Sequence, residues 1–217
     1  MKLAPAIYIW LLFAFSKTAA VAQLVQGPWQ GKPQSIPGRV QCELYDTGGE
    51  GIAYHDKDSI NNGSGKLNPA NGSYLNEFRM KEGVDISYTK QGGIDDNPYN
   101  LTAPTMGQLY VGWTAPGEWI RYTVEVEESG IYSVGLMYTS NKDGALDLLA
   151  DSKAIGGTIR VPTTYRKEDT VAWRQWHHWN KVSEIAKVSL TRGKHILVLR
   201  SVSGDMNYDY LEFTKWR

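Results

Sequence analysis

The stretch Ile120–Tyr138, IRYTVEVEESGIYSVGLMY, gives the clearest indication of the fold. Apolar and polar residues alternate in it on both sides of the turn-forming Glu128-Ser129-Gly130. A strand points successive side chains to opposite faces, so the pattern predicts two half-buried strands joined as a hairpin. The same pattern surrounds Arg192-Gly193-Lys194 and predicts a second hairpin. Its apolar positions are Ala186, Val188, Leu190, Ile196 and Val198.

The rest of the chain also favours strands over helices. After residue 22, no apolar pattern with a period of about 3.6 residues is long enough for a substantial helix. Short alternating segments separated by turn residues predict an all-β sandwich of about eight to ten strands. Residues 23–38 are predicted to be a leader, and residues 39–217 the folded domain. The Gly- and Asn-rich residues 61–77 and 91–108 predict long loops, where binding sites usually lie on a β scaffold.

The first 22 residues have the composition of a secretory signal peptide. Lys2 precedes the apolar run Ile7–Phe15, and Ala20-Val21-Ala22 is a small-residue cleavage site. The apolar run is shorter than the roughly 20 residues that a bilayer core requires, and no later segment is apolar enough to span. We therefore expect cleavage near Ala22 and a mature protein that is secreted, periplasmic or at the cell surface.

The predicted mature chain is almost uncharged. The sequence has 23 basic and 23 acidic residues, and removing residues 1–22 takes away two lysines and leaves a formal charge of −2. A general nucleic-acid binder carries a basic face or stripe, so nucleic acid is not an expected partner. Cys42 is the only cysteine, which excludes an intramolecular disulfide.

Three tryptophans, Trp173, Trp176 and Trp179, stand three residues apart in AWRQWHHWNK. The polar segment MNYDYLEF, residues 206–213, follows near the end of the chain. Flat aromatic faces stack on the C–H face of a pyranose ring, while Asn amides and carboxylates bond its hydroxyl groups. The combination favours a sugar-binding surface. The alternative is that these tryptophans only pack in the core.

Six segments in a fixed order carry a family resemblance across residues 39–215. The chain resembles carbohydrate-binding module family 6, which implies a galactose-binding-like jelly-roll β-sandwich that binds sugar without catalysis. The segments are PGRVQCELYD, GGEGIAYHDKDSINNG, FRMKEGVDI, VGWTAPGEWIRYTVEV, WRQW and MNYDYLEF.

The resemblance implies a structural Ca²⁺ that joins the first and last strands. Gln41 and Glu43 are two residues apart, so on a strand they project to the same face, and Asp209 supplies a second carboxylate. Because Ca²⁺ takes six to eight oxygen ligands, backbone carbonyls are expected to complete the set, with residues 79–81 as candidates. The alternative is that Glu43 and Asp209 are surface carboxylates.

The resemblance also implies a sugar cleft between two aromatic rings, among loops at one end of the sandwich. Carried over by position, Trp173 is one ring, Phe78 is the other, and Asn207 supplies the hydrogen-bonding amide. Glu50 is a further contact to sugar hydroxyls or, alternatively, a turn-stabilising carboxylate. The segment before Phe78 is longer than in a typical member, so Tyr74 is expected to wall the cleft and to favour chain ends.

Two further sets of residues leave alternatives open. Trp113 and Trp119 are expected in the core or, on the resemblance, at a second site on a concave sheet face. The histidines beside Trp179 lie close to Arg166, Lys167 and Arg174, which suits an acidic or sulfated glycan, or else is a solvated surface.

The protein is predicted not to be an enzyme. A glycosidase needs two opposed carboxyl groups about 5 to 10 Å apart, and the sequence alone places no such pair. A small carbohydrate-active enzyme on the same fold and a calcium-stabilised protein-interaction module are the alternatives. The expected partners are a polysaccharide or oligosaccharide and a glycoside hydrolase acting on the same glycan, with no membrane span.

Overall fold

A computed structural model describes residues 25–217. The predicted signal peptide, residues 1–22, lies outside the described residues. Within them are fourteen strands, one short α-helix, α1 (Tyr74–Glu77), and two 3₁₀ turns, Trp29–Gly31 and Ala172–Trp176. The strands are β1 (Gln34–Ile36), β2 (Gly38–Gln41), β3 (Tyr54–His55), β4 (Ser64–Gly65), β5 (Asn68–Pro69), β6 (Ile86–Tyr88), β7 (Leu109–Thr114), β8 (Trp119–Val126), β9 (Gly130–Ser140), β10 (Gly144–Ala150), β11 (Lys153–Val161), β12 (Asn180–Leu190), β13 (Gly193–Ser203) and β14 (Met206–Lys215).

Twelve of these strands form two six-stranded sheets. The first has the order β1-β8-β13-β10-β11, with β3 also on β8, and the second has the order β12-β9-β14-β7-β6, with β2 also on β14. The apolar faces of the two sheets enclose a core of Val, Leu, Ile and Tyr side chains. The predicted β-sandwich is confirmed, with more strands than the eight to ten expected.

Both predicted hairpins are wrong as pairings, although their strands are present. β8 pairs with β1, β3 and β13, whereas β9 pairs with β12 and β14, so the turn at residues 127–129 crosses from one sheet to the other. The turn between β12 and β13 crosses in the same way. Alternation shows which side chains share a face, but it does not show which strand lies alongside.

The inward face of β13 also differs from the prediction. Leu197 and Leu199 are buried in the core, whereas Ile196 and Val198 are only partly covered. In β8 the predicted face is correct, because Ile120, Tyr122, Val124 and Val126 are all buried. β13 carries apolar residues on both faces, so its alternation alone does not distinguish the inner face.

The predicted leader is part of the sandwich from Gln34 onward. β1 runs parallel to β8, with Gln34 opposite Val124, and Ile36 is fully buried. The ring of Trp29 packs edge-to-face on Phe78, with centroids 5.3 Å apart. Such packing is not visible as a short-range pattern, because its partners lie far away in the sequence.

The predicted loop at residues 61–77 is largely ordered structure. Its first half contains β4 and β5, which pair with each other, and we call residues 61–69 the platform. Its second half contains α1, capped by the Ser73 hydroxyl accepting from the Asn76 N–H. No helix within residues 25–217 has the length and apolar character needed to cross a bilayer.

Candidate functional site

A cleft of about 460 Å³ lies over one end of the second sheet, between the platform and the 3₁₀ turn Ala172–Trp176. A volume of this size is typical of small-ligand sites. Most of the lining is aromatic, with a few polar groups among the rings. The lining residues are Leu67, Tyr110, Trp113, Trp173, Trp176, His177, Asp205 and Asn207.

A row of residues linked by hydrogen bonds and strand pairing crosses the second sheet and forms the floor of the cleft. Thr139 on β9 is the partner of Asn207 on β14. The Asn207 Oδ1 atom in turn accepts the backbone N–H of Trp113 on β7, at 3.2 Å. The backbone N–H of Gly112 donates to the carbonyl of Asp85, just before β6, at 2.9 Å. The floor of the cleft therefore spans four neighbouring strands.

Asn207 lies at the centre of this row, where the sequence predicted a sugar-binding amide. Its side chain is buried, and both Nδ2 hydrogens have protein acceptors: Thr139 Oγ1 at 3.0 Å and the Trp176 carbonyl at 2.8 Å. Oδ1 accepts from Trp113, which leaves one lone pair for a ligand. Asn207 therefore holds the backbones of Trp113 and Trp176 in place, and it can offer a ligand only an acceptor.

Trp113, which the sequence left either in the core or at a second site on a concave sheet face, lines the cleft. It is 43% exposed, and its φ of 50° places its backbone in the left-handed region, which is uncommon for a large side chain. The pairing of β7 with β14 shifts register at the same point, between Met206 and Tyr208. The irregularity turns an aromatic ring out of a strand that is otherwise buried. A strained non-Gly residue of this kind is typical of functional sites.

Gly112 allows the close approach of Asn207 to β7. A Cβ atom at position 112 would lie 3.0 Å from Asn207 Oδ1 and 3.2 Å from Tyr110 Cε2. A side chain there would displace the amide that organises the cleft. The Gly-Trp pair in VGWT is the sequence feature that accompanies the exposed ring of Trp113.

Trp173 lies where the sequence predicted it, with 54% of its surface exposed in the cleft. The ring of His177 contacts it edge-on, with centroids 5.7 Å apart. His177 is fixed from behind by the buried carboxylate of Asp95, whose Oδ1 lies 2.8 Å from Nδ1. The same oxygen accepts the indole N–H of Trp179 at 2.6 Å. Asp95 thus sets the orientation of this wall of the cleft.

Three predicted ligand contacts lie outside the cleft. Phe78 is 4% exposed, with its ring between Trp29 and Tyr74. Tyr74 is exposed but packs on Phe78, away from Trp173 and Asn207. The Glu50 carboxylate lies 2.5 Å from His55 Nδ1 and accepts the Asp56 N–H at 3.0 Å. These contacts agree with the alternative role of Glu50 as a turn-stabilising carboxylate. The long segment before Phe78 does reach the cleft, but its lining residue is Leu67 and not Tyr74.

Of the basic residues expected near the cleft, Arg174 is neutralised within the protein. The guanidinium of Arg174 bonds both carboxylate oxygens of buried Asp169, at 2.7 and 2.8 Å, and holds the pKa of that carboxyl well below its usual range. Among the described residues that line the cleft, none is Lys or Arg. Asp205 lines the cleft with a carboxylate that has no hydrogen bond within residues 25–217.

A second set of polar groups lies where β2 meets β14. The Gln41 Oε1, Glu43 Oε2 and Asp209 Oδ1 atoms are buried, and none has a hydrogen-bond partner within the described residues. Burial raises the pKa of Glu43 to about 8 and that of Asp209 to about 7. Gln41 ends β2 and Asp209 lies on β14, but Glu43 lies in the turn after β2 and not on the strand, where its spacing from Gln41 had placed it. The Cys42 N–H in this turn donates to the Asp209 carbonyl at 2.9 Å.

These three oxygens fit a hard cation. Buried acceptors without donors are costly, and Ca²⁺ binds carboxylate and amide oxygens. Glu43 Oε1 already accepts the Gln108 amide at 3.1 Å, so Oε2 is the oxygen that remains. The set is not a cluster of three acids, and no group of three or more His, Cys, Asp or Glu suited to a metal occurs within residues 25–217. An amide, two carboxylates and further carbonyls would make up the coordination.

Comparison with known proteins agrees with this architecture. The sequence profile of the carbohydrate binding module (family 6) matches residues 85–215. No curated protein matches the sequence. The chain belongs to carbohydrate-binding module family 6, and sugar binding is the function of that class.

Several solved modules resemble the chain in structure. A module of Clostridium stercorarium solved with cellobiose is 16% identical, with a TM-score of 0.50 over 86% of this chain and 99% of that one. A module of Cellvibrio mixtus lichenase 5A solved with cellotriose is 21% identical, with a TM-score of 0.46 over 62% of this chain and 88% of that one. A β-1,3-glucan-binding module of Bacillus halodurans is 16% identical, with a TM-score of 0.47 over 84% and 98%. The first of these supports the shared fold.

Proposed function

We propose that this chain is a non-catalytic polysaccharide-binding protein that grips a neutral sugar ring in the cleft. The observation that carries the proposal is the pair of exposed indoles, Trp113 and Trp173, on either side of Asn207. Trp113 and Trp173 take the positions of the two stacking rings, in place of the predicted pair of Trp173 and Phe78.

Binding combines stacking with a few hydrogen bonds. The indole faces cover the C–H faces of the sugar, which removes apolar surface from water. The hydroxyl groups meet the free carboxylate of Asp205 and the remaining lone pair of Asn207 Oδ1. His177 donates from Nδ1 to Asp95, so its Nε2 is the ring nitrogen left for a ligand.

Charge in the cleft favours a neutral glycan over an acidic one. A sulfate or uronate would find no Lys or Arg among the described lining residues, and it would meet the carboxylate of Asp205. Like charges at close range repel, and a desolvated anion needs a partner. We therefore prefer a neutral polysaccharide to the acidic or sulfated glycan considered from the sequence.

The cleft is better suited to holding a sugar than to cleaving one. Hydrolysis of a glycosidic bond requires two carboxyl groups facing the bond. Asp205 is the carboxylate among the described lining residues, and Asp95 lies behind His177 with its oxygens bonded to the protein. The proposal of binding without catalysis rests on this arrangement.

We also propose that Gln41, Glu43 and Asp209 hold a structural Ca²⁺. The ion would neutralise two buried carboxylates and join β2 near the start of the described chain to β14 at its end. Because only the folded protein brings these oxygens together, binding stabilises the fold by mass action. Ligand carbonyls from residues 79–81 stay a prediction. The Arg79 carbonyl already accepts the Glu82 N–H at 3.0 Å.

The biological setting follows from modest affinity. Each net hydrogen bond contributes about 0.5 to 1.5 kcal/mol, so micromolar to millimolar dissociation constants are expected. An exported protein of this kind would hold a polysaccharide near the cell or near a glycoside hydrolase acting on the same glycan. Several such contacts on one polymer would compensate for weak single sites.

Affinity electrophoresis of the purified protein through gels containing different polysaccharides tests the proposal. The panel pairs neutral β-glucans, xylans, mannans and agarose with anionic polymers such as polygalacturonate and a sulfated galactan. We expect retardation by one neutral class. Retardation only by the anionic polymers would contradict the neutral cleft, and turnover of a retarding glycan would contradict binding without catalysis.

A further inference from the structure

We infer that Leu67 is a specificity-determining residue that limits the width of the cleft and excludes sugars with side-chain substituents on that side. The inference rests on the proposed function, since it concerns the ligand of the same cleft. Its evidence is the position of Leu67 across the sheet, its exposure and the rigidity of the segment that carries it.

Leu67 stands at the opposite end of the row from Trp173. The 3₁₀ turn that carries Trp173 is attached above β9 and β14, through the Trp176 carbonyl. The platform is attached beyond β7, above the start of β6, where Asn61 Oδ1 accepts the Ile86 N–H at 3.1 Å. The strand order β9-β14-β7-β6 puts three inter-strand spacings between β9 and β6, roughly 14 Å between their backbones. Side chains on the two sides make the cleft narrower than this.

The platform is held rigidly on β6. Asn61 Oδ1 also accepts the backbone N–H groups of Gly63 and Ser64, at 3.0 and 2.9 Å. The Ser64 hydroxyl donates to the Ile86 carbonyl, and the amide of Asn68 donates to Ser87 Oγ. All these bonds are buried, so a bulky ligand cannot push the platform aside without breaking them.

Close backbone packing supports the same conclusion. A Cβ atom on Gly63 would lie 1.9 Å from the Ile86 carbonyl oxygen, so the platform packs on β6 at a point where only glycine fits. Leu67 follows at the tip, where its N–H donates to the Asn62 carbonyl at 3.2 Å. The side chain is 57% exposed, yet it lines the cleft.

An exposed Leu on a fixed support acts on a ligand in two ways. It adds apolar contact to the edge of a bound ring, and it occupies the space that a substituent on that edge would need. Rejection by a clash is a common source of specificity. The expected ligand is therefore an unbranched neutral chain, or an unbranched stretch of one.

Matched pairs of glycans test this with the full chain. The pairs are linear and arabinose-substituted xylan, cello-oligosaccharides and xyloglucan oligosaccharides, linear and β-1,6-branched β-1,3-glucan, and mannan and galactomannan. Dissociation constants are measured by calorimetry for the pair whose linear member is bound. We expect the wild-type protein to prefer the linear member by roughly tenfold or more, as expected for a steric clash.

The variants are Leu67→Ala, Leu67→Met and Leu101→Ala. Leu101 is a control of similar exposure, 53%, that does not line the cleft. Leu67→Ala should weaken binding of the linear glycan by roughly three- to tenfold through lost apolar contact, and it should reduce the preference to about threefold or less. Leu67→Met should retain the preference, and Leu101→Ala should leave both constants unchanged.

Each outcome separates this inference from the proposed function. The role of Leu67 would be overturned if Leu67→Ala changed the affinity for the linear and the branched glycan equally, or changed neither. It would also be overturned if the wild-type protein bound both glycans equally. All three results would leave glycan binding intact. Failure of the wild-type protein to bind any glycan would overturn the proposed function and this inference together.

Discussion

Replacing Glu43 by Gln should stabilise the calcium-free protein and remove most of the stabilisation that calcium gives the wild type. Glu43 is buried and lies beside Asp209, and one of its oxygens accepts the amide of Gln108. Gln keeps that acceptor and nearly the same volume, but it cannot carry the charge that a cation needs. The variant therefore removes the ligand chemistry and preserves the packing.

The pKa of Glu43 gives the magnitude for the calcium-free protein. Burial raises this pKa from near 4.5 to about 8, so the folded protein takes up a proton that the unfolded chain lacks at pH 7. This difference in pKa lowers the free energy of unfolding of the calcium-free wild type by on the order of 3 kcal/mol at pH 7. Glu43→Gln has no ionisable group at this position, so it avoids the cost and should be more stable than the wild type in chelator.

Calcium offsets this difference by stabilising the wild type. At a free concentration about one hundred times the dissociation constant, the ion stabilises the wild-type fold by about 2.7 kcal/mol. For a chain of this length that is a rise in melting temperature of roughly 5 to 10 °C. Glu43→Gln should lose most of the rise. Between about pH 5.5 and 8, the calcium-free wild type should also lose stability as pH rises, because the folded state holds the extra proton across that window.

Differential scanning calorimetry in calcium and in chelator measures all of these quantities. Glu127→Gln, at an exposed position, is the matched control and should respond to calcium like the wild type. Equal melting temperatures of the wild type in calcium and chelator would refute the metal site. A Glu43→Gln variant less stable than the wild type in both solutions would refute the reasoning from the buried charge.

Two further variants test the floor of the cleft. Gly112→Ala should weaken glycan binding and lower the free energy of unfolding by about 1 to 3 kcal/mol, because the added Cβ would press on Asn207 Oδ1 and Tyr110. Unchanged binding in calorimetry would argue against the close approach of Asn207 to β7. Asn207→Asp should cost about 1 to 3 kcal/mol in urea unfolding, because a carboxylate cannot donate to Thr139 and Trp176; an unchanged midpoint would show that these bonds do not form.

Local patterns predicted the elements of the fold better than their partners. Alternation in Ile120–Tyr138 marks two real strands, but a jelly roll places them in different sheets, and only contacts distant in sequence decide that. β1 was missed for a similar reason, because three residues parallel to β8 leave almost no local signal.

The sequence predicted those site residues whose side-chain chemistry and position in the family resemblance point to the same role. Trp173 and Asn207 were expected in the cleft and lie there, and the three proposed metal ligands share buried oxygens without donors. Trp113 was expected mainly in the core, since its exposure depends on a left-handed backbone at one residue. Phe78 was placed by analogy with a Tyr, yet a ring without a hydroxyl loses nothing polar when it is buried.

The exposed indole of Trp173 is central to the proposed binding, in which it stacks on a sugar ring in the cleft. Trp216 has nearly the same exposure, 50% against 54%, and it lies outside the cleft, so Trp216→Ala is the matched control for Trp173→Ala. Both variants should keep the wild-type melting temperature. The measurement is calorimetric titration of wild type and variants with the glycan that retards the protein most.

We expect Trp173→Ala to weaken binding at least about tenfold, the loss expected when a large aromatic contact is removed, while Trp216→Ala binds like the wild type. Unchanged affinity in folded Trp173→Ala would contradict the proposed role of this cleft and place the sugar elsewhere on the protein.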